Sequence, residues 1–328
     1  MRRVLIRKST NAALTILIIL VANFLLFRVM PGDPADIFFR TSAGAKIDEE
    51  FIKKQRAVLG LDDPLHIQLG KYIVNTFTGE WGYSFFKQTR LVTDIIAQKA
   101  IWTVILVGSS TIITLWLGMI IGAISAWRRG KAFDLTSLGL GFFFYSMPTF
   151  WLGMILLLMF GAGRGLLPLF PRSGVSTQPS SPDPLTYAGD VLAHLALPAI
   201  TLTLVQIAGI SIIMRNALID VLTEDYVVTA KAKGLSERQV LKAHAVPNAR
   251  LPMVTVIALN LGFVLGGAIQ VETVFNYDGL GYLTVEATLS KDYPILQGLF
   301  LLITFSVVIA NLVSDFVYAW LDPRVRLG

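Results

Sequence analysis

The hydrophobic pattern of the chain consists of long apolar runs separated by polar segments. A run of about 20 apolar residues is long enough to cross a bilayer as a helix. Six runs meet that length, and they cover residues 10–30, 101–127, 134–160, 191–214, 252–274 and 295–320. Pro148 and Pro198 interrupt the third and fourth runs, which membrane helices tolerate when neighbouring groups bond to the freed carbonyls. The pattern predicts an all-α membrane protein with six transmembrane helices.

The composition supports a membrane protein and argues against several other classes. Hydrophobic residues make up 54% of the chain and charged residues 15%, whereas a soluble domain has about 25% charged residues. The sequence has no cysteine and only three histidines, which argues against disulfides, thiolate or histidine metal sites and a cysteine nucleophile. No segment fits the G-x-x-x-x-G-K-[ST] pattern of an ATP-binding P-loop. We therefore expect no catalytic residues, no cofactor, no metal site and no enzymatic activity in this chain.

The positive charges predict how the spans are oriented. Fifteen Lys and Arg residues fall on the side that holds both termini, the turn after span two and the loop between spans four and five. The short loops on the other side hold only Arg164, Arg172 and Lys291. Because positive charge marks cytoplasmic loops, we expect a multi-pass plasma (inner) membrane protein with cytoplasmic termini and no nucleic-acid partner. The first run exceeds the 7–15 apolar residues of a signal peptide, so we expect it to stay as span one.

The segment between spans one and two carries its own helical pattern on the external side. Asp48-Glu49-Glu50 opens one helical stretch that ends at Gly60, since acidic residues suit a first helical turn. A second stretch opens at Asp63-Pro64 and ends at Gly79-Glu80-Trp81-Gly82. These stretches predict an external helical cap. The expected organisation is a cytoplasmic N-terminus with span one (1–30), an external segment (31–100), a five-span core (101–320) with a loop at 215–250, and a cytoplasmic tail (321–328).

The 215–250 loop has the clearest pattern among the polar segments. Leu218, Val221 and Leu222 recur at helical spacing, and Gly234 supplies the left-handed residue that stops a helix. Ser236-x-x-Gln239 is a capping box that starts a second short helix, and Pro247 is expected to end it. This pattern predicts a helix–Gly–helix unit over about 217–246. On this pattern alone, the unit either anchors the loop at the membrane surface or forms a compact knob that docks in a partner's groove.

The sequence of this loop resembles the EAA loop of binding-protein-dependent ABC importer permeases. The family consensus is E-A-A-x3-G-x9-I-x-L-P, and this chain keeps Ala230, Gly234 and Pro247 at that spacing. It departs from the consensus at four positions, which are Val228, Thr229, His244 and Val246. Relaxed loops of this kind are typical of the peptide and nickel permease branch, and the chain is similar to the B-type permeases of dipeptide and oligopeptide importers.

Further segments along nearly the whole chain are similar to the same branch. They are MPGDP (30–34), LGLDDPLHIQLGKYIVNTFTGEWGYSF (59–85), PTFWLG (148–153), HLALPAITL (194–202), VETVFNYDGLG (271–281), DYPILQG (292–298) and NLVSDFVYAWLDPRVR (311–326). Asp278 is a departure, because the branch usually has Pro before Gly-Leu-Gly. Asp-Gly forms a turn as readily as Pro-Gly, so the turn is still expected.

The resemblance implies a type I ABC-importer transmembrane domain that moves small peptides from an external binding protein to the cytoplasm by alternating access. The implied partners are a second, C-type permease, two cytoplasmic P-loop ATPase subunits, the solute-binding protein, the solute and the lipid bilayer. The loop around 222–246 is implied to be the coupling helix seated in an ATPase groove. Its implied contact residues are Asp225, Tyr226, Thr229, Ala230, Lys233, Gly234, Leu235, Ser236 and Pro247. Oligosaccharides, glutathione and nickel chelates are alternative solutes.

Five polar residues in or beside the spans are candidates for the gate or the solute pathway. They are Gln206, Asn260, Gln270, Glu272 and Asp315. Acids inside a membrane are functional candidates by default. Glu272 either lines the outer gate or the binding-protein contact, or forms a local salt bridge or cap. Asp315 either acts in gating or pairs with Arg215 or Arg324, and the three amides either line a polar path or make packing hydrogen bonds.

Two other function classes fit a polytopic chain less well. An ion-coupled secondary transporter usually needs several ionisable residues at the midplane and paired broken helices, and mid-span charges are nearly absent here. An intramembrane enzyme needs a Ser/His/Asp set or a metal motif such as H-E-x-x-H, and the spans contain neither. Dependence of uptake on ATP rather than on a proton gradient separates the importer from the secondary transporter.

Overall fold

A computed structural model describes most of the chain. The described residues are 2–29, 63–87, 90–163, 165–177, 183–250, 253, 256–257, 260, 264–266 and 268–321. Side chains are described within these ranges except at residues 2–6, 29, 265 and 314–321. The predicted external helix that opens at Asp48 lies outside the described residues, and so do nine of the 23 residues of predicted span five.

Four long apolar helices dominate the described part of the chain. They are α1 (Arg2–Val29), α3 (Val92–Trp127), α6 (Pro184–Leu222) and α11 (Tyr293–Leu321). A fifth candidate span is a pair of apolar helices, α4 (Ala132–Tyr145) and α5 (Thr149–Phe160), which are bent by 100° at the break between them. These elements confirm an all-α membrane protein, and the count of six spans stays a prediction because residues 252–274 are only partly described.

The bend between α4 and α5 corrects the prediction of one continuous helix over 134–160. Helix α4 ends at Tyr145, and Pro148 has extended geometry with ψ at 128° as the residue that precedes α5. Proline has no N–H to donate and disfavours helical geometry in the residue before it. Pro198, in contrast, lies inside the continuous helix α6, so only one of the two interrupting prolines breaks its helix.

Shorter helices complete the fold between and beside the spans. They are α2 (Leu65–Thr78), α7 (Asp225–Ala232), α8 (Glu237–Gln239, continued by a π-helical Val240–Ala245 and by Val246–Ala249), α9 (Ile269–Val274) and α10 (Leu280–Leu289). A 3₁₀ turn covers Val264–Gly266. Helix α2 ends at Gly79, whose φ of 80° is left-handed, so the predicted stop of the second external helix is confirmed.

Helices α3 and α6 pack along each other and form the centre of the subunit. They approach most closely at Gly118 and Gly122 of α3. A Cβ atom added to Gly118 would lie 2.7 Å from Ile210 Cγ2, and one added to Gly122 would lie 2.4 Å from the Ser211 carbonyl oxygen. Small residues permit close approach of membrane helices, so these glycines serve packing inside the subunit. Around this pair, α4 and α5 pack on α6, α10 and α11 pack on α3, and α1 packs on α11.

Candidate functional site

Helix α6 extends further toward the predicted cytoplasmic side than the sequence pattern indicated. Span four was expected to end at 214 and a separate helix to begin near 217, but α6 runs without interruption to Leu222. Its last turns are held by a buried apolar cluster in which Met214 and Leu218 contact Ala245 and Ala249 of α8. The helical spacing of Leu218 and Leu222 therefore belongs to the end of α6, and the loop proper begins at Thr223.

The loop then turns through α7 and a left-handed glycine. Helix α7 begins after Glu224 and ends at Ala232, with Lys233 as its C-terminal cap residue. Gly234 has φ at 80°, and a Cβ atom added there would meet nothing within 4 Å. Backbone conformation, rather than space, is therefore the reason for glycine at this position. The predicted left-handed stop at Gly234 is confirmed.

The second helix of the loop, α8, begins as predicted but does not end at Pro247. The Ser236 N–H and the Ser236 hydroxyl both donate to Gln239 Oε1, at 2.9 and 2.8 Å, which is the reciprocal half of a capping box. The helix then widens into a π turn at Val240–Ala245 and continues to Ala249. Proline clashes with the carbonyl of residue i−4 in a regular α-helix, and a π turn widens the helix immediately before Pro247. The predicted helix end at Pro247 is wrong because burial of Ala249 holds the following turn.

A small apolar core holds α7 and α8 together. Its fully buried members are Val227 and Val240, which are 0% exposed, and Ala230, which is 5% exposed. Leu235 and the last two residues of α6, Val221 and Leu222, pack against it. The consensus alanine at 230 therefore faces inward, into the loop's own core. The loop is a folded knob that is joined to α6 by side-chain packing as well as by the backbone.

The outer surface of the knob contains most of the predicted contact residues. Those exposed on it are Asp225, Tyr226, Thr229, Lys233, Gly234, Ser236 and Pro247, whereas Leu235 is half-buried. Partial burial raises the pKa of the Tyr226 hydroxyl, the Glu224 carboxylate raises it further, and a hydrogen bond with Asn248 opposes the rise. The phenol is thus a neutral hydrogen-bonding group. The surface offers a tyrosine, polar side chains and both signs of charge to a partner, and its contact role stays a prediction.

Arg215, which the sequence offered as a partner for Asp315, instead pairs with Asp134. Arg215 Nε donates to Asp134 Oδ1 at 2.6 Å, and a terminal guanidinium nitrogen donates to Oδ2 at 2.8 Å. The side chain of Asp315 lies outside the described residues. Sequence reasoning missed the Asp134–Arg215 pair because the two residues are 81 positions apart. The available signal was an acid in the first turn of a membrane helix directly after the basic turn that follows span two.

Near the predicted external end of the spans, Glu272 of α9 is fully buried. Its carboxylate accepts hydrogen bonds from the Thr103 hydroxyl at 3.0 Å and from the N–H groups of Ala268 and Tyr282 at 3.2 and 3.0 Å. A Cβ atom added to Gly279 would lie 2.4 Å from Glu272 Oε2. The Gly-Leu-Gly motif therefore makes room for this carboxylate. Glu272 joins α9, α10 and α3, and its role in an outer gate stays a prediction.

The other pathway candidates lie apart from Glu272. Gln206 is half-buried in α6, and Asn260 donates to the carbonyl of Val256 in its own helical turn at 2.7 Å. Gln270 is exposed at the start of α9, only two residues from the fully buried Glu272. The structure thus does not bring Gln270 and Glu272 to one surface, and the pathway role of each stays a prediction. Asp278, which departs from the branch pattern, forms an ion pair with Lys99 of α3.

Asp292 is a second structural carboxylate that sequence reasoning did not single out. It precedes α11 and is 1% exposed. It accepts hydrogen bonds from the Ser84 hydroxyl and from the N–H groups of Phe85 and Phe86, the latter two at 3.1 and 3.2 Å. It therefore joins the GEWGYSF segment to the DYPILQG segment, two motifs 207 residues apart. In the described part of the chain, no group of three or more His, Asp or Glu side chains could hold a metal ion.

Comparisons with known proteins match both halves of the chain. The family described as "Binding-protein-dependent transport system inner membrane component" matches residues 118–327. Its N-terminal companion, "Binding-prot-dependent transport system membrane comp, N-term", matches residues 1–107. Similar proteins include the glutathione transport system permease protein GsiC of Salmonella typhimurium (strain LT2) and of Escherichia coli (strain K12). Each is 37% identical to this chain over 312 residues, which cover 95% of both proteins.

Proposed function

The chain belongs to the family of inner membrane components of binding-protein-dependent transport systems, and from this premise we propose that it carries small peptides into the cytoplasm. The chain is a permease subunit of an ABC importer and an integral inner membrane protein. In the proposed cycle, an external binding protein delivers the peptide, and the spans alternate between outward-open and inward-open states. ATP binding and hydrolysis by separate ATPase subunits drive the change.

The observation that carries this proposal is the folded knob between α6 and predicted span five. Its surface is polar and exposed, whereas Val227, Ala230 and Val240 form its own buried core. A rigid helix presented by such a core suits a groove on another protein. We assign this surface to an ATPase subunit, because an importer permease without a P-loop needs a contact that transmits the ATPase movement.

The remaining partners and the orientation follow from the same proposal. The permease pairs with a second, C-type permease, and two P-loop ATPases bind on the side that holds the knob. The termini and the knob lie in the cytoplasm, which agrees with the excess of Lys and Arg on that side. The external segment 31–100 and the Glu272 region face the binding protein. The four-part organisation at 1–30, 31–100, 101–320 and 321–328 belongs to this proposal.

The solute class rests on one observation. The similar proteins from Salmonella typhimurium and Escherichia coli are named glutathione permeases, and glutathione is itself a small peptide. Small peptides, with glutathione as the first to test, are therefore proposed ahead of oligosaccharides and nickel chelates.

The transporter class is tested by isolating the chain with its partners. The tagged chain is purified from membranes in mild detergent, and co-purifying proteins are identified by mass spectrometry. We expect a second six-span permease and two P-loop ATPases. Recovery of the chain alone or as a homo-oligomer, without an ATPase under any nucleotide condition, would contradict the proposal and favour an ion-coupled transporter.

The solute is tested with the purified complex in proteoliposomes and its cognate binding protein. A labelled dipeptide, glutathione, an oligosaccharide and a nickel chelate are offered separately, with ATP or a non-hydrolysable analogue on the ATPase side. We expect uptake of the peptide or of glutathione with ATP only, and the same uptake after a protonophore is added. Uptake of the oligosaccharide or the nickel chelate alone would overturn the peptide assignment while leaving the transporter class intact.

A further inference from the structure

The ion pair between Asp134 of α4 and Arg215 of α6 is buried and geometrically defined. The Asp134 side chain is 1% exposed and the Arg215 side chain 17%. Two parallel N–H donors of the guanidinium face the two carboxylate oxygens, at 2.6 and 2.8 Å. The N–H of Gly130 donates to Asp134 Oδ2 at 2.9 Å. A bidentate pair of this kind fixes both distance and orientation, which a contact between apolar side chains does not.

One side of this pair is connected to the knob through a continuous helix. Arg215 lies seven residues before Leu222, which is roughly 10 Å along α6 at 1.5 Å per residue. Val221 and Leu222 pack directly against the knob core of Val227, Ala230 and Val240. A displacement of the knob therefore reaches Arg215 through rigid helix rather than through a loop.

The other side of the pair is the start of α4, a helix that packs along α6 but is mostly exposed on its remaining faces. Asp134 is the only buried residue of α4. Farther along the helix, Gly141 faces Ala208 of α6, and Ser137 shares a hydrogen bond with Ser125 of α3 at 2.7 Å. The end of α4 nearest the knob is thus tied to α6 by the ion pair, and α4 leads directly into the 100° bend with α5.

We propose that the Asp134–Arg215 pair passes the movement of the knob from α6 to the bent pair α4–α5. The inference rests on the proposed function, because it assumes that an ATPase moves the knob. Asp134 and Arg215 are positioning residues that make α6 and the start of α4 move as one body during the transport cycle. Without the pair, the knob still moves with α6, but α4 and α5 follow incompletely, so ATP hydrolysis no longer drives full opening.

The proposal is tested with the complete transporter in proteoliposomes by the ratio of solute moved to ATP hydrolysed. Asp134→Asn removes one charge, and Arg215→Lys keeps the charge but loses the bidentate geometry. We expect each variant to assemble and to hydrolyse ATP, while the ratio falls roughly fivefold or more, the low end of coupling factors between sites. Asp183→Asn is the control, because it removes one charge from an exposed acid that caps the start of α6, where asparagine caps a helix equally well, and its ratio should stay at the wild-type value.

A covalent substitute for the pair gives a second readout. A Cβ atom at Gly141 would lie 3.2 Å from Ala208 Cβ, near the 3.5–4.5 Å separation of disulfide-linked residues, and the chain has no other cysteine. Gly141→Cys with Ala208→Cys therefore joins α4 to α6. We expect the disulfide between the two new cysteines to leave transport intact in the otherwise unsubstituted chain. In the Asp134→Asn variant, the same disulfide should return the ratio of solute moved to ATP hydrolysed toward the wild-type value.

Several results would overturn the proposal that the Asp134–Arg215 pair passes movement from α6 to α4. They are a wild-type ratio in both charge variants, loss of transport on oxidation of the otherwise unsubstituted chain, and no rescue of Asp134→Asn. If Asp134→Asn fails to assemble, the disulfide-linked variant decides, because recovered assembly without a recovered ratio would assign the pair to folding alone. If the unsubstituted complex shows no ATP-dependent uptake of any solute, the proposed function fails instead, which keeps the two failures distinct.

Discussion

At the scale of single residues, two glycines occupy positions that other residue types do not fit. One lies against a carboxylate, and the other has a left-handed backbone. Gly279 lies against the carboxylate of Glu272 and the hydroxyl of Thr103, both 2.4 Å from a Cβ atom added there. Gly234 has open space around it but a φ of 80°. Gly279 is therefore required by lack of space, whereas Gly234 is required by backbone conformation. Substitutions at the two positions should have different consequences.

Gly279→Ala should destabilise the subunit. The added methyl must displace the Glu272 carboxylate or the Thr103 hydroxyl, which weakens the bonds that join α9 and α10 to α3, and overpacking of this kind costs about 1–3 kcal/mol. The measurement is the thermal unfolding midpoint of the detergent-purified subunit. Gly139→Ala in α4 is the control, because a Cβ atom there meets nothing within 4 Å. Equal midpoints for the two variants would contradict the packing role.

Gly234→Val should leave the subunit inserted and assembled but reduce ATP-coupled uptake. A β-branched residue at positive φ costs about 1–3 kcal/mol, and the relaxed turn re-aims α7 relative to α8. The measurement is uptake and ATP hydrolysis by the reconstituted complex. Gly189→Val, at an exposed helical position near the start of α6 with open space around it, serves as the comparison. Wild-type uptake by Gly234→Val would remove the assignment of this loop to coupling.

At the scale of elements, the knob behaves as a small folded unit with its own core. Val227 and Val228 are adjacent in α7, yet the first is fully buried and the second is 55% exposed. The inward residues bind α7 to α8 and to the end of α6. The outward residues are the ones predicted to contact an ATPase partner, so stability and the proposed recognition fall on two different faces of one short helix.

Val227→Ala should loosen the knob, whereas Val228→Ala should not. The first change removes two buried carbon groups, worth about 1.6 kcal/mol at ~0.8 kcal/mol each. Amide hydrogen exchange in α7 should accelerate roughly tenfold, because local opening sets its rate. The measurement is hydrogen–deuterium exchange of the permease without ATPases, read by mass spectrometry. Similar exchange in both variants would show that the core does not hold α7.

The sequence predicts the parts of this loop that depend on neighbouring residues and misses those that depend on distant ones. The Gly234 stop and the Ser236–Gln239 cap are local, and both are present. The extension of α6 to Leu222 depends on packing against α8, and the π turn before Pro247 depends on burial of Ala249 against α6. The Asp134 and Glu272 hydrogen bonds join residues 81 and 169 positions apart, which no local pattern encodes.

At the scale of the whole molecule, the other spans pack around the central pair α3–α6, and two buried carboxylates join helices at the predicted external end. Glu272 joins α9 and α10 to α3, and Asp292 joins the segment between α2 and α3 to the start of α11. The described part of the predicted external segment is thus bonded to the start of α11 as well as being continuous with α3. This part should therefore move with the membrane core.

Asp292→Ala should destabilise this attachment strongly, whereas Glu286→Ala should have little effect. The first change leaves the Ser84 hydroxyl and two N–H groups without an acceptor, and each lost bond to a charged group is worth about 1.5–3 kcal/mol. Glu286 pairs at 3.5 Å with Lys87, which follows the three residues that donate to Asp292, and both side chains are half-exposed. Ion pairs this exposed contribute about 0–1 kcal/mol to stability. Limited proteolysis near residues 82–91 is the measurement, and equal cleavage in the two variants would contradict the anchoring role of Asp292.

The uninterrupted course of α6 has a mechanical consequence. Its 39 residues make a rod roughly 58 Å long, about twice the hydrocarbon thickness of a bilayer. The tight crossing at Gly122 and Ser211 divides this rod into arms of roughly 17 Å toward Leu222 and roughly 41 Å toward Pro184. If that crossing is the fulcrum, a small push at the knob swings the far end of the helix more than twice as far. Pivoting at that crossing would therefore turn a short movement of the knob into a much wider movement at the opposite end of α6.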